Sequence, residues 1–255
     1  MKRAPVLFVG HGSPMNALED NPFTARWKAL GETLPRPQAI VAVSAHWFTP
    51  GTLVSQTQTN RTIYDMYGFP DALYRMRYDA PGAPELARQT RELLGGGATL
   101  SDAWGLDHGS WSVLTHLYPK ADIPVFQVSV NRDLAPQAQF DLGRALRPLR
   151  DENVMIFASG NVVHNLGMVS WDTPGGFGWA DEFDLAVRNA VVAREFDRAV
   201  AYRALSPSAR LAVPTADHYA PLLYALGASD GNDTVTVFND ARVMGSLSMT
   251  GYLFE

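Results

Sequence analysis

The chain contains no cysteine. That excludes disulfides, thiolate metal sites and a cysteine nucleophile. It contains no long run of like charge, and its net charge of −5 is spread thinly. Nucleic acid and anionic membranes are therefore not expected partners. No apolar stretch approaches the roughly 20 residues that cross a bilayer. The basic residues Lys2 and Arg3 are followed by an apolar run too short for a secretory signal. A cytoplasmic location is the expectation. Internal repeats and low-complexity linkers are also absent. This favours a single domain over residues 1–255.

What is present is an alternation of apolar strands and helices. Val6–Val9, "QAIVAVSAHW", "IPVFQVSV" and "NVMIFASGNVVHN" read as buried strands. Asn21-Pro22 reads as a helix start running to about Leu34. Further helices are expected at Pro84–Leu94, stopped by Gly95-Gly96-Gly97, at Ser110–Tyr118 and at Pro136–Arg150. A long amphipathic helix is expected over Trp179–Leu205. "GTLVSQTQ" reads as a further strand, Ile63–Arg77 as irregular, and "GLDHGSW" as a loop. "DTVTVF" and "GSLSMTGYLF" read as late strands, with an antiparallel arrangement open to them. Together these imply an α/β fold: one three-layer domain with a mostly parallel or mixed sheet and helices on both faces. In such folds ligands bind beyond the carboxyl ends of the strands.

The chain has six histidines, and their positions carry the functional signal. His11, His46 and His164 each fall at or just past the end of a separate core strand. His218 precedes an apolar helical run, and His108 sits in "GLDHGSW". One such histidine is ordinary. Three strand-end histidines aimed at one rim suggest an imidazole-rich metal site, suited to zinc or iron. His116 lies among apolar helical neighbours and reads as structural. Asp107 and Asp217, each beside a histidine, are candidates to orient an imidazole or to cap a turn. Trp47, Trp104, Trp111, Tyr64, Tyr67 and Tyr219 lie near the histidines and could wall a pocket or simply pack. "GHGSP" matches neither a G-x-S-x-G elbow, a P-loop nor a dinucleotide fingerprint.

"LFVGHGSPMNAL", "VAVSAHW", "DHGSW", "SGNVVHNLG" and "ADHYAPLL", in that order over most of the chain, resemble the class III extradiol ring-cleavage dioxygenases. The resemblance is to the DOPA-dioxygenase-like branch. It implies a single α/β domain and an oxidoreductase that opens a catechol-type ring with O2. It implies one divalent metal per chain, with His11, His46 and His218 at ligand positions. His164 matches a position described either as a fourth metal ligand or as a catalytic base. His108 matches a histidine lining the substrate site. Better-known members use two histidines and a glutamate, whereas His218 stands at the third position here. The residues after His164, Asn165-Leu166-Gly167, differ from the proline-containing loop of the plant DOPA enzymes.

Oxygenase activity calls for Fe(II) and about three protein ligands, so that other positions stay open. Zn(II) with His164 as fourth ligand is the form expected on purification, since four imidazoles make a closed tetrahedral site. In the Fe(II) form His164 is then expected to act as base and His108 as hydrogen-bonding acid. The expected partners are a small aromatic diol and O2. Arg61, Arg77 and Arg132 are candidates for a substrate carboxylate. Two alternatives remain open on the sequence. One is a zinc hydrolase using Asp107 or Asp217 as base; the other is a catalytically silent metal-binding homologue. The sequence does not fix the oligomeric state.

Overall fold

The structure, a computed structural model, describes residues 3–255. Met1 and Lys2, including the first basic residue of the N-terminal reading, lie outside the described residues. Six strands form the central sheet: β1 (Val6–Gly10), β2 (Ala39–Ser44), β3 (Val125–Gln127), β4 (Val154–Gly160), β5 (Val235–Phe238) and β6 (Gly251–Phe254). Their spatial order is β3-β2-β4-β1-β6-β5. The first four run parallel, and β6 and β5 complete the sheet antiparallel. The sheet is thus mixed, as expected.

Six longer helices cover it: α1 (Pro22–Thr33), α2 (Pro84–Leu93), α3 (His108–Leu117), α4 (Pro136–Leu146), α5 (Gly178–Val192) and α6 (Ala220–Ala228). The period-2 alternation of the strands divides the core. Val6, Phe8, Val41, Val43, Ile156 and Ala158 pack with residues of α2, α4, α5 and α6. Their chain neighbours Leu7, Val9, Ile40, Ala42, Met155 and Phe157 pack with Trp27 and Leu30 of α1 and Trp111 and Leu114 of α3. Strands covered on both faces need no polar alternation, which is why they read as continuous apolar runs. Each large apolar side chain buried this way contributes roughly 1.5–3 kcal/mol relative to exposure.

The start of α1 follows its sequence signal. Asn21 accepts from the backbone N–H groups of Phe23 and Thr24, and the Thr24 hydroxyl answers the Asn21 N–H. Three expectations need correction. The helix expected over Trp179–Leu205 ends at Val192. Arg194 adopts a left-handed conformation (φ 61°), and its guanidinium donates to the carbonyls of Asp230 and Asp233. A cation at a helix C-terminus with two distant acceptors favours the break. The apolar pattern runs on because Phe196–Val200 forms a second, short helix against the same core. Secondly, "GLDHGSW" is not a free loop. Asp107 caps α3 and His108 is its first residue. Lastly, Pro136–Arg150 is α4 followed by a 3-10 turn.

β1 and β4 end side by side, with Gly10 paired to Gly160, and Ser44 of β2 pairs with Ser159. This rim is where the histidines gather.

Candidate metal centre

His11 leaves the end of β1 between two glycines, and the structure gives both a reason. A side chain at Gly10 would lie 2.7 Å from the backbone at Ser248 and Met249. Gly12 has φ 62°, and a Cβ there would meet the Met249 sulfur at 2.4 Å. The backbone at Ser248 and Met249 lies close against this turn, which aims His11 across the rim. His46 follows β2, and His218 precedes α6. His164 lies beyond β4, where its backbone N–H donates to the Ala212 carbonyl at 2.9 Å.

Five of the six histidines meet. The His11 ring centroid lies 5.1 Å from that of His46, 5.3 Å from His218 and 5.6 Å from His108. One nitrogen from each of His11, His46 and His218 falls within 4.8 Å of the others. His164 stands beside this trio: it stacks on His218 with centroids 3.4 Å apart and groups with Asp217 and His218. His116 lies elsewhere, with Nε2 bonded to the Asn16 carbonyl at 2.7 Å, in the structural role expected.

The hydrogen bonds assign the tautomers. The Ser159 hydroxyl donates to the Gly109 carbonyl, so its oxygen accepts from His11 Nδ1 at 3.0 Å. His46 Nδ1 reaches Asp65 at 3.1 Å. His218 Nδ1 donates to Asp217. Each Nδ1 therefore carries the proton, and each Nε2 presents a lone pair. The His218 Nε2 is buried with no hydrogen-bond partner. The Nε2 atoms of His11 and His46 face each other at 3.2 Å. Facing lone pairs repel unless something positive lies between them. The donor set fits a divalent cation: neutral imidazoles, each held from behind by an acceptor.

The electrostatics agree. Burial, reinforced by charge on the neighbouring rings, pushes His11 well below its usual value. His218 is lowered to about 4 and His164 to about 2, chiefly by burial. His108 is lowered by burial and by His46. His46 alone moves up. Burial pulls it down, but Asp65, Asp107 and Asp217 together outweigh that loss. Asp65 and Asp217 lie well below the carboxylate range. Burial opposes this, and the hydrogen bonds from the imidazoles overcome it.

His108 donates from Nδ1 to Asp65 at 3.0 Å, and its ring centroid is 3.9 Å from that of His46. Asp217 orients an imidazole, as its position beside His218 suggested. Asp107 does not. Its carboxylate accepts from the Ser110 backbone and Trp104, and from the Ser44 hydroxyl at 2.6 Å. Neither carboxylate is left free to serve as a hydrolytic base. Of the candidate arginines, Arg61 donates to the Ala103 carbonyl and Arg77 lies over the Tyr64 ring. Trp47, Trp111 and Tyr219 are buried packing residues, whereas Tyr67 is exposed.

Two residues that hold the site escaped sequence reasoning. Ser159 carried a signal: a hydroxyl inside an apolar core strand must find a partner. Asp65 carried none, because it lies in an irregular segment far along the chain from both rings that it holds.

The family described as the catalytic LigB subunit of aromatic ring-opening dioxygenase matches residues 7–255. The chain is 49% identical over 252 residues to 4,5-DOPA dioxygenase extradiol of Escherichia coli strain K12, covering 97% of this chain and 93% of that protein. A Beta vulgaris protein of the same name is 36% identical over 255 residues, covering 97% of this chain and 95% of that one. The crystal structure of an uncharacterized Escherichia coli K12 protein superposes with a TM-score of 0.87 at 46% identity. It covers 99% of this chain and 100% of that one. With its fold, its converging imidazoles and these relatives all in agreement, the chain belongs to the family of LigB catalytic subunits of aromatic ring-opening dioxygenases.

Proposed function

We propose that this protein is a metal-dependent extradiol dioxygenase that opens the ring of DOPA or another substituted catechol with O2. The observation that carries the proposal is that Nδ1 of His11, His46 and His218 is each taken by an acceptor while one nitrogen of each ring lies within 4.8 Å of the others. The names of the relatives support the substrate class. Residues 1–255 are proposed to act as one catalytic domain. No helix among the described residues is long and apolar enough to cross a membrane. A cytoplasmic site of action is part of the proposal.

His11, His46 and His218 hold the metal through Nε2. When bound, Fe(II) supplies the redox chemistry that joins a catechol and O2, which three neutral ligands and open positions suit. His164 lies outside the trio, which favours its role as proton acceptor over that of a fourth ligand in the active form. Its ring stacks on that of His218 at the edge of the trio, beside the metal ligands. His108 faces the same centre and is the proposed proton donor. Asp65 holds its ring. Zn(II) is the metal proposed in the purified protein, with His164 closing a four-imidazole site.

Anaerobic reconstitution with Fe(II), followed by O2 uptake with a panel of catechols, tests the reading. Uptake with ring-opened product is expected. Absence of uptake with every catechol refutes it, and hydrolysis that survives oxygen removal supports the zinc hydrolase instead.

A further inference from the structure

Asp65 touches more of the site than any sequence signal indicated. Its Oδ2 accepts from Nδ1 of His108 at 3.0 Å and from Nδ1 of His46 at 3.1 Å. Its Oδ1 accepts the backbone N–H of His108 at 2.9 Å, at the first turn of α3. One carboxylate thus ties the end of β2, the start of α3 and two imidazoles together. The rings it holds belong to the two proposed parts of the reaction: His46 to the metal trio and His108 to the substrate side. We infer that Asp65 is the shared positioning residue of the site, locking His46 and His108 as Nδ1–H tautomers so that both Nε2 atoms face the centre. The inference rests on the proposed function only in taking His46 as a metal ligand.

The chemistry makes the carboxylate hard to replace. In Asp65→Asn the amide has one acceptor atom where the carboxylate uses two. If the amide oxygen faces the rings, its NH2 group meets the His108 N–H, donor against donor. If the NH2 faces the rings, both imidazoles must accept at Nδ1 and carry their protons on Nε2. A protonated Nε2 cannot ligate a cation. The first arrangement frees the start of α3 from residue 65, and the second removes the acceptor behind His46. Asp107 provides a contrast. It caps the same helix and bonds to no imidazole.

The test measures Zn(II) and Co(II) affinity by competition with a chelator, so it needs no turnover. Asp65→Asn is expected to weaken binding about 10–100-fold, the usual cost of losing a partner behind a ligand. Asp107→Asn, which removes a nearby charge but no hydrogen bond to an imidazole, is expected to lower the melting temperature and to cost clearly less metal affinity than Asp65→Asn. Equal loss of affinity in both variants would mean a merely structural role and would overturn the inference. So would Asp65→Asn binding as tightly as the wild type. A second measurement uses the unmutated protein and so does not depend on whether the variant folds. Nitrogen-15 NMR of the zinc-loaded protein should show Nδ1–H on both His46 and His108 and a ligated Nε2 on His46. Loss of the Nδ1–H proton from either ring, or an Nε2–H proton on His46, overturns the inference. A wild type that binds neither metal overturns the metal centre and this inference together, whereas failure of O2 uptake alone leaves the test intact.

Discussion

Gly160→Ala is a demanding test of the link between fold and site, because it alters no histidine. Gly160 ends β4 at the rim, and a Cβ built there lies 2.2 Å from the His218 carbonyl oxygen and 3.2 Å from Pro221. Ordinary non-bonded contacts settle near 3.5 Å, so relief needs about 1 Å of movement. The atom in the way is backbone, and it already accepts the Asn161 N–H at 2.9 Å. The displacement therefore passes to the His218 ring. Overpacking of this kind costs about 1–3 kcal/mol. For a chain of this size that lowers the melting temperature by about 2–12 °C. A misplacement of about 1 Å at a reacting centre costs on the order of 100-fold in rate. Calorimetry, chelator competition for Zn(II) and O2 uptake by the Fe(II) form read the three effects. Gly97→Ala is the control: nothing lies within 4 Å of its Cβ position, and stability should hold or rise slightly. A Gly160→Ala protein that melts, binds metal and turns over like the wild type would refute the reasoning.

Removing the metal with a chelator should lower the melting temperature. Free metal at 100 times its dissociation constant should restore about 2.7 kcal/mol, and an unchanged melt would contradict a site within the folded core. The metal-free protein should lose stability as pH falls from about 6.5 toward 4. His218 is lowered to about 4 from its ordinary 6.5, so in that window the unfolded chain binds the extra proton. That group alone accounts for roughly 3 kcal/mol. His46, raised in the fold, works in the opposite direction: its contribution is lost as pH rises through its folded value. Urea midpoints between neutral pH and about pH 5 check the slope, and a flat profile counts against buried neutral imidazoles. Substituting His164→Ala should cut kcat by about 100–10,000-fold while Fe(II) binding persists; loss of the metal instead would make it a ligand.

Much of this was legible in the residues. Buried parallel strands announce themselves as apolar runs, and Asn21-Pro22 with Thr24 announces a capped helix, because both signals are local. The strand-end histidines were legible for a related reason: the layer rule sends the ends of parallel strands to one rim wherever they lie in the sequence. The break at Arg194 was hidden, since its acceptors at Asp230 and Asp233 are distant in the chain and the apolar pattern continues past it. Asp107 misled because adjacency along a chain is not adjacency of side chains; it turns to Ser44 and Ser110 and leaves His108 to Asp65.

The sequence by itself determined which residue types could do the chemistry and which strands would deliver them. A chain without cysteine, with single imidazoles at the ends of core strands, can offer a cation nitrogen and carboxylate oxygen but no thiolate. Only the tertiary structure decided which nitrogen of each ring is bare. That choice rests on the acceptors behind the rings, Ser159, Asp65 and Asp217, and on the room left by glycines such as Gly10 and Gly160. Hydrogen bonds and close contacts act over a few ångströms in space, and no spacing along the chain encodes them.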